Sequence, residues 1–170
     1  TESPFPCWDA LEFPSREALL AALPETEIVI PQDSAFKYSN LAFGLLGEVI
    51  GRLSGRSYFE YIQAEILEPL GLTSSVFELT DELRPRTAIG YSRSPYADEF
   101  PQAPYAPLNG VAACGQLHST VADLAKWISL QFRTGDEERS GAQVLRGSSL
   151  EEMHRPQYME PDWSFGYCLG

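Results

Sequence analysis

The strongest hydrophobic pattern in the sequence is helical and runs from Asn40 to Gly55. Apolar residues recur around most of the circumference of this predicted helix, which is typical of a buried helix. Its interior contains three glycines, and each costs roughly 1 kcal/mol in a helix relative to alanine, so we expect a neighbouring backbone to approach closely. The three are Gly44, Gly47 and Gly51, while Gly55 is placed to end the helix.

Capping residues and periodicity predict four more helices. Helices commonly begin after a serine or threonine whose side chain accepts a hydrogen bond from an N–H group of the first turn. We expect the helix that follows the Asn40 to Gly55 segment to form the core together with it. The four are Arg16 to Leu23 capped by Ser15, a helix from the Ser57 and Glu60 capping box to about Leu67, Thr120 to Gly135, and a short helix capped by Ser148.

Strand signals are weak. Phe165, Tyr167 and Leu169 alternate as the residues of a strand do, and Thr87 to Ser92 is a second strand candidate. A segment rich in proline and tyrosine covers residues 96–108 and is called the proline–tyrosine loop below. A loop of this length inside a compact domain is typically functional, although it can also be a spacer. The pattern as a whole predicts a fold that is mainly α with minor β.

Length and charge narrow the class of protein. With 170 residues the chain is long enough for a single domain, 1–170, with a core of its own. Its net charge of −12 argues against a nucleic acid or an anionic membrane as partner, because either would bind a basic face. No apolar run is long enough for a membrane span, and no signal-peptide pattern opens the chain.

Cysteine and histidine are too few and too scattered to predict a metal site. Cys7, Cys114 and Cys168 lie far apart and form no Cys-x-x-Cys pair. His118 and His154 each stand alone, unlike the ligand sets that hold zinc. We therefore predict no metal.

The candidate chemistry lies just before the longest helix, where Tyr38 and Asn40 form a Tyr-x-Asn pair. A tyrosine ionises near pH ~10 in water, so it works as a base at neutral pH only if a nearby cation lowers its pKa. An asparagine amide has two donors and one acceptor, which suits it to holding a substrate carbonyl. The alternative is structural, with Tyr38 as a half-buried aromatic residue and Asn40 as a helix N-cap.

Phe36–Ile50, followed by Leu53–Gly55 and Ile66–Leu72, resembles the serine β-lactamase and penicillin-binding-protein superfamily. The resemblance is closest to the branch of class C β-lactamases, D-alanyl-D-alanine carboxypeptidases and related esterases. It implies the helical subdomain and border segments of the β-lactamase/DD-peptidase-like α+β fold. Further similar segments follow in the same order: Ala88–Tyr91, Gly115–Thr120, Asp123–Ala125, Leu150–Met153 and Phe165–Tyr167.

The resemblance implies a serine hydrolase that works through an acyl-enzyme. Tyr38 would be the catalytic phenolate that accepts the serine proton, and Asn40 would bind the substrate carbonyl. The implied substrate is a small molecule or peptide, namely a β-lactam, a D-Ala-D-Ala peptide or a small ester, and no cofactor is implied. The family's Ser-x-x-Lys and Lys/His-Thr/Ser-Gly motifs are not found at family-like places. We therefore expect an incomplete β-lactamase-like domain that is inactive by itself.

Two segments imitate the missing motifs. The segment from Ser34 to Lys37 matches Ser-x-x-Lys, and on a helix Ser34 and Lys37 would share a face with Tyr38. Against this, Phe36 and Tyr38 alternate as in an extended segment. Arg133 to Gly135 imitates the third motif, but helix capping explains its glycine. The sequence also departs from the family, which usually has glycine where Gln32 and Gln116 stand.

A second interpretation belongs to a different class of protein. Tyr38 and the proline–tyrosine loop could bind a peptide or a partner protein in a non-catalytic helical module, since tyrosine suits interfaces. Oligomeric state and compartment, whether periplasmic, extracellular or cytoplasmic, are left open by these features. In the family the helices lean on a sheet whose strands lie mainly outside this chain, so we also expect exposed apolar surface.

Overall fold

The computed structural model describes residues 5, 7–31, 34–92, 98–133 and 144–169, and Trp8 and Asp9 by their backbone alone. Helices dominate these residues, as predicted. The α-helices are α1 (Cys7–Ala10), α2 (Arg16–Ala22), α3 (Asn40–Ser54), α4 (Tyr58–Ile62), α5 (Val121–Gln131) and α6 (Gly147–His154). A π-helical turn, Gln63–Leu67, extends α4, and 3-10 helices cover Leu23–Glu25, Arg84–Arg86 and Asn109–Cys114.

The β content is small. Strands β1 (Tyr158–Met159) and β2 (Gly166–Tyr167) pair antiparallel, with Tyr158 opposite Tyr167. A strand was expected at the second of these. The strand expected over Thr87 to Ser92 is wrong, because this segment forms only an isolated bridge between Tyr91 and Gln102. No helix in the described parts of the chain combines the length and apolar character that a membrane crossing needs.

The predicted caps explain where most helices begin. The hydroxyls of Ser15 and Thr120 accept hydrogen bonds from Ala18 N and Asp123 N at 3.2 and 3.3 Å. Ser57 and Glu60 form the predicted capping box, and Gly55 ends α3 at φ 70°. The cap predicted at Ser148 is wrong. Arg146 holds the N-cap position of α6, and Ser148 lies inside the helix.

The core lies between α1, α2, α3 and the 3-10 helix Asn109–Cys114 instead of between α3 and α4 as expected. It contains the buried residues Cys7, Phe13, Leu19, Leu41 and Val111. An ion pair at the surface joins α2 to α3. Arg16 Nε and Nη2 donate to the Glu48 carboxylate at 2.5 and 2.6 Å.

The sequence predicts that α3 is buried around most of its circumference, and this prediction is wrong. Leu41 and two glycines are buried, whereas four large apolar residues of the helix are largely exposed, up to 84% for Leu53. The exposed residues are Phe43, Leu46, Val49 and Leu53. The expected exposed apolar surface is therefore present, and it includes most of α3.

The buried glycines of α3 permit the close backbone approach that was predicted. A Cβ at Gly44 would lie 3.1 Å from Val111 Cα, and a Cβ at Gly47 would overlap the Ala113 methyl group. Both partners belong to the 3-10 helix Asn109–Cys114. The glycines thus let that helix pack directly against α3.

We expect Gly47→Ala to destabilise the protein by about 1–3 kcal/mol, because overpacking outweighs the gain of roughly 1 kcal/mol in helix propensity. Urea unfolding of the full-length protein measures the change. Gly51→Ala is the matched control, since its Cβ would meet nothing nearer than Arg56 O at 3.3 Å. Equal effects of the two substitutions would show that contact with the 3-10 helix is not what selects glycine.

Candidate active site

The segment before α3 is not helical. Ser34 lies in a turn, where its hydroxyl donates to Pro31 O at 2.7 Å, and Ser39 is extended with φ −147° and ψ 107°. Ser34, Lys37 and Tyr38 consequently do not share a helix face, so the apparent Ser-x-x-Lys motif forms no helical catalytic set. Thr134 and Gly135 of the other apparent motif lie outside the described residues, as do Gln32 and the end expected for α5 at Gly135.

Ser39, and not Asn40, is the N-cap of α3. The Ser39 hydroxyl accepts a hydrogen bond from Ala42 N at 3.2 Å, which occupies the capping position. Asn40 is the first helical residue, it is half-buried, and its amide forms no hydrogen bond with any residue that the structure describes. The alternative role of Asn40 as a cap is therefore wrong, and its donors and acceptor are open to another group.

Tyr38 is the most exposed aromatic residue of this segment. Its side chain is 65% exposed, which corrects the alternative of a half-buried aromatic residue. Within the described part of the chain, its hydroxyl has no hydrogen-bond partner. Tyr38 and Asn40 therefore lie two positions apart at the amino end of α3 with their polar groups available. The partial positive charge of a helix amino end favours an anion nearby.

A ring contact fixes the approach to Tyr38. Phe36 stacks on Tyr167 of β2, with ring centroids 3.7 Å apart and planes 9° from parallel. The Tyr167 hydroxyl donates to Glu160 at 3.3 Å, and desolvation followed by the charge of Glu160 raises the pKa of Tyr167. The β1–β2 pair thus holds the segment that carries Tyr38.

A buried carboxylate elsewhere was missed in the sequence, where Asp123 was named only as the start of the family-like segment Asp123–Ala125. Asp123 is 2% exposed and accepts hydrogen bonds from Ser74 N at 2.7 Å, Ser75 Oγ at 3.0 Å and Lys126 Nζ at 3.1 Å. Lys126 also donates to Gly71 O. The lysine three residues after Asp123 was the available signal, because such a pair shares a helix face.

These contacts control the charge of Asp123. Desolvation raises its pKa, but the hydrogen bonds from Lys126, Ser74 and Ser75 and the charge of Lys126 outweigh that effect and lower the pKa below its ordinary value. The carboxylate is therefore ionised at neutral pH and ties α5 to the turn at residues 71–75. Its role is structural.

The described part of the proline–tyrosine loop, 98–108, is held at several points. Ser92 N donates to Pro101 O and Ala103 N donates to Gly90 O, at 2.9 and 2.8 Å. The Tyr105 ring lies 5.4 Å from the Arg84 guanidinium and 5.9 Å from the His118 ring. Residues 98–108 are consequently held against the rest of the protein by these contacts.

The described residues show neither a metal site nor a second catalytic site. Across the described ranges, no three His, Cys, Asp or Glu side chains are grouped as metal ligands would be. Cavities of about 420 and 660 Å³ lie beside Gly47 and beside His118, and neither is lined by Tyr38 or Asn40. The Nε2 atom of His118 is buried and has no hydrogen-bond partner among the residues that the structure describes.

Comparison with known proteins decides the family. The β-lactamase family profile matches residues 2–170, nearly the whole chain. This chain belongs to the β-lactamase family. The resemblance carried by Phe36–Ile50 and the segments after it is thereby confirmed.

Individual relatives and solved structures agree with this family assignment. A human protein, beta-lactamase-like 1, is 34% identical over 113 residues, which are 66% of this chain and 22% of the human protein. A penicillin-binding protein homologue from Pyrococcus abyssi, described as octameric, is 28% identical with a TM-score of 0.69 over 91% of this chain and 34% of its own. A class C β-lactamase from Rhodobacter sphaeroides shares the fold, at 21% identity and a TM-score of 0.69 over 93% of this chain and 41% of its own.

These likenesses confirm the predicted fold class, mainly α with minor β, as part of the β-lactamase/DD-peptidase fold. The chain spans only part of the length of these proteins: 22% of the human relative, and 34% and 41% of the two solved chains.

Proposed function

We propose that this chain is the central part of a serine hydrolase that acts through an acyl-enzyme on amide or ester substrates. One observation carries the proposal: in a member of the β-lactamase family, the Tyr38 hydroxyl and the Asn40 amide lie together at the amino end of α3, and neither has an internal partner among the described residues. Polar groups without internal partners are suited to contact a substrate.

In this mechanism a serine from outside the chain attacks the substrate carbonyl. The Tyr38 oxygen, as a phenolate stabilised by a cation from outside the chain, accepts the serine proton as the new C–O bond forms and then passes it to the leaving amine or alcohol. In the second half, the same oxygen accepts a proton from the water that attacks the acyl-enzyme and returns it to the serine. The Asn40 side-chain N–H groups donate to the carbonyl of the substrate's acyl group and fix its orientation.

We further propose that the 1–170 segment is an incomplete β-lactamase-like domain. Large apolar residues are exposed on two helices, and a monomeric soluble protein rarely leaves a wide apolar patch uncovered. The coverage of its relatives supports the same conclusion, because the matched segment is 22% of the human protein. The exposed residues on α5 are Val121, Leu124 and Ile128, and those on α3 were named above.

Covalent labelling tests the proposal. A fluorescent penicillin and an activated ester are each incubated with the isolated chain and with the full-length protein. We expect the full-length protein to be acylated on a serine outside this chain, and the isolated chain to remain unlabelled because Ser34 lies in a turn and away from any helical Ser-x-x-Lys arrangement.

Two results would contradict the proposal. Labelling of the isolated chain at Ser34 would place the nucleophile inside this segment. The second result is that neither the ester nor the penicillin acylates the full-length protein, while the protein binds peptides through Tyr38. This result would favour a non-catalytic binding module. The penicillin and ester arms also separate β-lactam from ester chemistry within the same class of enzyme.

A further inference from the structure

The Gln116 side chain connects two segments that are distant in sequence. Its Oε1 accepts a hydrogen bond from Leu108 N at 2.9 Å, and its Nε2 donates to Phe77 O at 3.2 Å. One amide therefore links Leu108, at the end of the proline–tyrosine loop, to Phe77, in the segment that follows the π-helical turn Gln63–Leu67. Both hydrogen bonds are partly buried, so losing either would leave a backbone group without its partner.

The Phe77 end of this connection is firmly held. The Phe77 ring packs against Phe59 and Tyr58, with centroids 4.7 and 5.8 Å away. The preceding residue, Val76, exchanges two backbone hydrogen bonds with His118 at 2.9 and 2.8 Å. Phe77 O is thus a fixed point, and the Gln116 amide transmits that position to Leu108.

The Leu108 end packs on a core cluster that also includes the first turn of α3. Leu108 and Ala106 pack against the core cluster that contains Leu41 and Val111. Leu41 directly follows Asn40 in the first turn of α3, so the end of the proline–tyrosine loop packs on the same core cluster as the helix end that carries Tyr38 and Asn40. A shift at Leu108 would be transmitted through this cluster to the first turn of α3.

We propose that Gln116 is a positioning residue that fixes the end of the proline–tyrosine loop on the core cluster shared with the first turn of α3 and thereby determines which acyl groups the Tyr38 and Asn40 site accepts. This inference rests on the proposed function. The glutamine amide supplies the acceptor that Leu108 N requires and the donor that Phe77 O requires. A carboxylate at the same position would accept from Leu108 N but would face Phe77 O without a donor, and alanine would lose both bonds.

The test uses Gln116→Ala and Gln116→Glu in the full-length protein. The first readout is chymotryptic cleavage after the exposed Tyr105, two residues before Pro107, measured against cleavage after Tyr91. We expect both substitutions to accelerate cleavage after Tyr105, by about tenfold for Gln116→Ala, because cleavage follows the population of the opened loop. Cleavage after Tyr91 should stay unchanged.

The second readout is kinetic. For a small and a bulky ester, p-nitrophenyl acetate and p-nitrophenyl phenylacetate, we expect Gln116→Ala to change the ratio of their kcat/KM values about fivefold. The change should arise mainly in KM, since the reacting groups remain in place. Gln63→Ala is the matched control, because Gln63 is an exposed glutamine that donates to Glu68 on the helix surface. It should leave the cleavage rates and the ester ratio unchanged.

The outcomes separate the two proposals. If Gln116→Ala is active but keeps the wild-type ester ratio, Gln116 only stabilises the fold and the inference is wrong. Unchanged cleavage after Tyr105 in an active variant would also contradict it. A wild-type full-length protein that acylates no serine with either ester would overturn the proposed function itself, and the selectivity role with it.

Discussion

Replacement of Tyr38 by phenylalanine is expected to lower kcat/KM of the full-length protein by roughly 10²- to 10⁴-fold, the range typical for loss of a general base. The substitution removes only the hydroxyl and keeps the ring. Since the side chain is 65% exposed and its hydroxyl has no hydrogen-bond partner in the described part of the chain, the fold should be unaffected. Acylation rates with an activated ester measure the loss, and the melting temperature checks the fold.

Tyr91→Phe is the control for this prediction. Tyr91 is also exposed, at 62%, but it lies on the arm that precedes the proline–tyrosine loop. Loss of the Tyr91 hydroxyl should change kcat/KM by less than about twofold, because the proposed mechanism does not use this group. Full turnover by Tyr38→Phe would remove Tyr38 from the mechanism and leave the family relationship intact.

Replacement of Asp123 by alanine is expected to lower the melting temperature of the full-length protein by roughly 5 °C, because it leaves Ser74 N–H, Ser75 and Lys126 without their shared acceptor. Thermal unfolding at neutral pH measures the change. Asp81→Ala is the matched control, since the Asp81 carboxylate is fully exposed and contacts Arg84 only at 3.6 Å. A surface ion pair of this kind contributes little to stability.

The same carboxylate predicts a dependence on pH. The pKa of Asp123 is lower in the folded state than its ordinary value, so the unfolded chain binds more protons between the two values. Its contribution is therefore complete above the ordinary pKa of about 4 and is lost as the pH falls through the folded value. The stability difference between wild type and Asp123→Asn should shrink on acidification. A difference that is constant from neutral pH to about pH 3 would contradict the assignment.

Local signals were sufficient for most helix boundaries. Serine and threonine caps placed the starts of α2, α4 and α5 because a cap is satisfied within one turn and needs no distant partner. The same rule failed at Asn40, where the adjacent Ser39 is the N-cap, and at Ser148, where Arg146 holds the N-cap position without a side-chain hydrogen bond. Helix ends are the least sharply defined part of a helix, so its first residue can differ by one or two positions from the one that the capping rule selects.

The site was only partly readable before the structure. Tyr38 and Asn40 were selected by their spacing and by resemblance, and their exposure and open polar groups are structural findings. The roles of Asp123 and Gln116 could not be assigned in full, because one partner of each, Ser74 and Phe77, lies 49 and 39 residues away along the chain. Residue type alone does not tell a buried, bonded carboxylate or amide from a solvated one.

The sequence by itself determined the family, the helical class and the Tyr-x-Asn position, because periodicity, caps and motifs depend on residues that are close along the chain. Only the tertiary structure decided which face of α3 is buried, and it placed the core against the Asn109–Cys114 helix. It also joined the proline–tyrosine loop to Phe77 through one amide. Burial and long-range hydrogen bonds are properties of the packed chain, since each depends on which distant segments meet.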